Sequence, residues 1–96
     1  MTAKQNPEYL QKINALEALL LKDNVLLTRQ ELKVLYATIE GKTNDEIAEE
    51  LSISVYTIKT HKNHIITKLG LKGKVEFQKY LLKMASSYLI VQKNQT

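Results

Sequence analysis

The sequence predicts an all-α protein, and three observations carry that prediction. Apolar residues recur three and four apart in successive stretches, as one face of a helix requires. Two of these stretches open on capping boxes, Thr28-Arg29-Gln30-Glu31 and Thr43-Asn44-Asp45-Glu46. In each, a hydroxyl and the carboxylate three residues on can satisfy two orphaned amides reciprocally. Gly41 and Gly70 stand just past apolar stretches, where a helix closes through a left-handed residue.

The elements follow in chain order. Residues 1–6 are expected to be disordered up to Asn6, which can cap a helix with Pro7 at its first position. Tyr9, Ile13, Leu16 and Leu20 make one apolar stripe to about Lys22, and Leu10, Leu19 and Leu21 widen it. Two heptads are too few for a coiled coil, so this helix is expected to pack on the domain or on a partner subunit. Asp23-Asn24 ends it. The helix behind Thr28 carries Leu32, Leu35, Tyr36 and Ile39. The helix behind Thr43 carries Ile47, Ala48 and Leu51, with the small Ala48 where two helices can approach closely. Leu51-Ser52-Ile53 reads as a turn, and Ser54 caps the next helix, 55–69.

Helix 55–69 has two faces. Ile58, Ile65 and Leu69 gather on one, with His61 and Lys62 at its edges; Tyr56, Lys59, Thr60, Asn63 and Thr67 gather on the other. A short helix, a turn of about three residues and a second helix opening on polar positions is the helix-turn-helix order, with the second helix as reader. Lys72-Gly73-Lys74 is a basic link. A final helix is expected from about Lys74 to Val91, with Phe77, Leu81, Met84, Tyr88 and Val91 in one stripe and Leu82, Ala85 and Leu89 in another. That is more apolar surface than one small body uses. It points to a subunit interface at Leu81, Met84, Ala85, Tyr88 and Leu89. The expected organisation is an extension over 1–26, a domain over 27–91 and a frayed tail over 92–96.

Charge is distributed unevenly along the 96 residues. Six Lys/Arg against nine Asp/Glu leave residues 1–54 at −3, whereas eight Lys against one Glu put residues 55–96 at +7. A polyanion suits the basic half. A membrane surface suits it poorly, because the basic helix lacks a wide apolar face with Trp or Phe. No apolar run approaches bilayer length and no signal peptide is recognisable, so a cytoplasmic address is expected. The chain has no cysteine, which excludes disulfides and thiolate metal sites. His61 and His64 lie three apart, but no Cys, Asp or Glu sits at helical spacing beside them, so no metal is expected. Neither a nucleophile–base set, nor paired catalytic carboxylates, nor a glycine-rich phosphate loop is present; no enzyme activity and no cofactor are expected.

From Leu27 to about Val75 the chain resembles the LuxR/GerE-type DNA-binding domain of bacterial transcriptional regulators. The residues that carry the resemblance are Leu27-Thr28, Glu31, Val34-Leu35, Gly41 through Ala48, Leu51 through Ser54, Thr57 through His61, Ile65 and Lys68 through Leu71. The resemblance implies a four-helix domain, here preceded by one extra amphipathic helix. In this family the third helix enters the major groove and the fourth often mediates dimerisation. Position by position it implies groove contacts from Lys59, Thr60 and Asn63. It implies backbone or flanking contacts from Val55 and Tyr56, and phosphate approach at Thr43 and Asn44. Thr57, Lys62, Lys68, Lys72 and Lys74 complete the expected DNA-binding set. The chain departs from the family at Gln30, where an arginine is usual, at Gly73-Lys74, and at Phe77, where a small residue is common. With no Arg on the reading face, an A·T-leaning site is expected.

The expected function is sequence-specific binding of double-stranded DNA to regulate transcription, as a stand-alone short homodimer. The acidic run Asp45, Glu46, Glu49 and Glu50 is read first as helix-dipole complement and solvated face, with a face for RNA polymerase or another regulator as the second reading. The alternative is a protein-interaction module that acts through its terminal helices without binding DNA.

Overall fold

A computed structural model describes residues 6–94, with side chains as far as residue 86. Five helices follow one another: α1 (Pro7–Leu21), α2 (Arg29–Ile39), α3 (Asn44–Leu51), α4 (Val55–Lys68) and α5 (Lys74–Asn94). No strand occurs among the described residues. The final helix runs three residues past the expected end at Val91, into the tail expected to fray. Residues 1–5, expected to be disordered, lie outside the described part.

The starts of the helices are set by local chemistry. Asn6 Oδ1 accepts from the Glu8 amide at 2.7 Å, and Pro7 follows at the first helical position. Both capping boxes form reciprocally. The Glu31 amide donates to Thr28 Oγ1 at 3.1 Å and the Thr28 amide to Glu31 Oε1 at 2.9 Å. The Thr43–Glu46 pair repeats this at 3.1 and 2.8 Å. Ser54 caps α4 by accepting from the Thr57 amide at 3.0 Å.

The ends share one device. After α1, α2, α3 and α4 a single residue takes positive φ: Asn24 (61°), Gly41 (89°), Ser52 (60°) and Gly70 (73°). In each case the next residue's amide bonds a carbonyl five residues back, as in Val25 to Leu20, Lys42 to Ala37, Ile53 to Ala48 and Leu71 to Ile66. Asn tolerates this conformation through its short polar side chain, whereas Ser52 adopts it at a steric cost. The turn read at Leu51-Ser52-Ile53 is therefore a helix closure tight enough to bring α4 directly onto α3.

α2 is the hub, packing against each of the other four helices. Its position explains why Glu31, Leu32, Val34, Leu35, Tyr36 and Ala37 are all buried, well beyond the single stripe that spacing indicates. Ile13, Leu16, Leu32, Leu35, Ile47, Ile58 and Ile65 are among the fully buried side chains. Each such side chain contributes about 1.5–3 kcal/mol relative to exposure. α1 docks on α2 through Ile13, Leu16 and Leu20, through a Tyr9–Tyr36 edge-to-face contact at 5.8 Å, and through Arg29, which reaches Asn14 and Glu17. The extra helix thus belongs to the core, while Leu10, Leu19 and Leu21 stay on its exposed side.

One expectation changes here. Leu81 and Met84, assigned to a subunit interface, are buried in the protomer's own core, with Phe77 one turn before Leu81. The reason is that α5 lays this stripe against α2. Ala85 is half-buried, and Leu82 from the second stripe is 64% exposed. The side chains of Tyr88 and Leu89 lie outside the described residues.

Candidate nucleic-acid interface

α3, the Ser52 closure and α4 build a helix-turn-helix corner. Ala48 is buried on α3, and Ile47 and Leu51 flank it; Ile58 and Ile65 anchor α4 from the other side. With that face buried, helical geometry turns Tyr56, Lys59 and Asn63 outward, all exposed, with Tyr56 at 78%. Thr60 is half-buried beside them. α2 and α3 each carry acid in the first turn, whereas α4 carries none, so no acid of its own first turn offsets the positive end of its dipole.

Five of the expected contact residues, Asn44, Lys59, Lys62, Asn63 and Lys74, line one concavity of about 400 Å³. Its apolar floor includes Ile66, Phe77 and Leu81. Phe77, one of the departures from the family pattern, thus supports the groove between α4 and α5. Lys62 Nζ donates to Asn44 Oδ1 at 2.5 Å, and burial pushes its ammonium below the ordinary lysine value. Lys62 and Asn44 consequently hold each other and present one shared polar surface.

The other expected contacts divide according to what already occupies them. Thr43 commits its amide as donor and its hydroxyl oxygen as acceptor to the capping box, leaving its O–H proton as the donor it can offer. The Thr57 hydroxyl pairs with that of Ser54 at 2.9 Å. Val55 is half-buried; Lys72 and Lys74 are exposed at the start of α5, where the Lys72 amide donates to Glu76 at 2.8 Å. Lys68 turns toward α2, and its Nζ donates to Glu31 Oε1 at 2.8 Å.

Glu31 is the residue that spacing undervalued. It is 3% exposed, the buried charged residue among those described. Burial pushes its carboxyl up, but the Lys68 ammonium and the Thr28 amide outweigh that and hold it below the ordinary 4.5. Its second oxygen lies 3.8 Å from His64 Nδ1. Along α4 the two histidines have no third ligand-type neighbour, but across the helix pair they have Glu31. Positions 31 and 61 are too far apart for any helical period to connect them.

A buried-backed corner that presents a basic, acid-free helix defines a helix-turn-helix DNA-binding regulator. The family model described as "Bacterial regulatory proteins, luxR family" matches residues 25–81, and the chain belongs to that family. Among similar proteins is "Oxygen regulatory protein NreC" of Staphylococcus aureus. In strains JH9, JH1 and Mu3 it is 50% identical over 58 residues, 60% of this chain. The chain spans about a quarter of the length of these curated relatives, 27%. No solved structure gives a significant match. Among the described residues no helix is long and apolar enough to cross a membrane.

Proposed function

We propose that the protein reads duplex DNA by placing α4 in the major groove and regulates transcription as a homodimer. The observation that carries this reading is the outward face of α4: Tyr56, Lys59 and Asn63 are exposed while Ile58 and Ile65 are fully buried. Lys59 and Asn63 supply base-edge donors, and the Thr60 methyl suits thymine. Lys72 and Lys74 supply phosphate contacts at the start of α5, making affinity strongly salt-dependent. Lys68, held by Glu31, stands outside this contact set. In the dimer the two copies of α4 would enter grooves about 34 Å apart. The exposed Leu82, beside half-buried Ala85, supports a contact between the α5 helices of two copies.

Selection from random duplex DNA at near-physiological salt tests the proposal. An enriched motif with two half-sites is the expected result. Failure to enrich any sequence, with folding verified by circular dichroism, would overturn it. The protein-interaction alternative would then take precedence, with exposed Leu10, Leu19, Leu21 and Leu26 at the amino-terminal end as its surface.

A further inference from the structure

We propose that Glu31, His61 and His64 form a binding site for a divalent transition-metal ion of the zinc class, tying α4 to α2. One donor atom from each of the three lies within 4.8 Å of the other two. The donor set, two imidazole nitrogens and a carboxylate oxygen, is one that zinc accepts, and three protein ligands leave a fourth position open to solvent. Tetrahedral bonds of about 2.0–2.1 Å place donors roughly 3.3 Å apart, so the three atoms need to converge. His64 has the freedom to do so, with a side chain that is 60% exposed.

Two further features single out this cluster. His61 Nδ1 is buried without a hydrogen-bond partner among the described residues, although buried ring nitrogens are normally satisfied. The two oxygens of Glu31 are also used unequally. Oε1 accepts from both Lys68 and the Thr28 amide, whereas Oε2 faces His64 Nδ1 at 3.8 Å, beyond hydrogen-bond reach. The bonds to Oε1 fix the carboxylate's orientation, as outer-shell partners do around a metal ligand. The Lys68 charge opposes a cation at the same carboxylate, so it tempers affinity as well as orienting the ligand.

The test is a titration of the untagged full chain with zinc, followed by cobalt(II), whose visible bands report coordination geometry. One-to-one binding is expected. Losing one ligand through His64→Gln should weaken it at least about tenfold, and Glu31→Gln should do the same. A titration without a saturable one-to-one phase would overturn the site. So would an affinity that His64→Gln, an exposed substitution expected to leave the fold intact, does not change.

Discussion

Replacing Lys68 by Gln tests how the one buried carboxylate among the described residues is held. Glu31 has only 4% of its side chain exposed, and Lys68 reaches it from α4 at 2.8 Å. A hydrogen bond to a charged group contributes about 1.5–3 kcal/mol. An exposed ion pair contributes only ~0–1 kcal/mol. Lys68 is 39% exposed, so solvent screens its side of the pair and places the contribution between these limits, at about 1–2 kcal/mol. The folded carboxyl lies below its ordinary 4.5. Its contribution is therefore fully present above that value and is lost as pH falls through the folded value. Lys68→Gln keeps a neutral donor but removes the charge. In urea unfolding at pH 7.5 the variant should be less stable by about 1–2 kcal/mol, lowering the melting temperature by about 4–8 °C per kcal/mol. At a pH low enough to protonate the folded Glu31 the two proteins should converge, because a protonated Glu31 has no charge to pair. An equal difference at both pH values, or none at pH 7.5, would refute the ion pair as the source of stability.

Four further outcomes are expected. Ser52→Gly should stabilise the fold by up to about 1 kcal/mol, since φ 60° costs a serine what it does not cost a glycine, and thermal unfolding measures it. Asn63→Ala should flatten preference among operator variants by about 1–3 kcal/mol at one base pair, with nonspecific affinity nearly unchanged in a competition assay. Lys59→Gln should make the dependence of log K on log salt shallower by about 0.9 if its ammonium meets a phosphate, and leave the slope unchanged if it reads a base. Leu82→Glu should lower both sedimentation mass and operator affinity; unchanged values would remove this face of α5 from the dimer.

The helix starts and most of the helix ends were legible because they rest on short-range chemistry. Thr28, Thr43 and Ser54 cap amides within three residues of themselves, and Gly41 and Gly70 close helices within one turn. The outward face of α4 was legible for a related reason, since burying Ile58 and Ile65 leaves Lys59 and Asn63 on the opposite side. On α5 the expectation differed from the structure because period alone shows that Leu81 and Met84 are buried, without showing what covers them. A stripe that packs on its own domain has the same spacing as one that packs on a second copy.

The sequence by itself determined the element order, the caps, the helix-turn-helix corner and the outward polar face of α4, all of which follow from contacts within a helical turn or two. Only the tertiary structure decided that α2 is the hub, that α1 packs on it, that Lys68 belongs to Glu31 and that Lys62 belongs to Asn44. It alone brought Glu31 beside His61 and His64. Those pairings join residues 18 to 37 positions apart in the hydrogen-bonded cases. Such separations exceed any helical period, so the pairings exist only once the buried stripes have fixed how the helices cross.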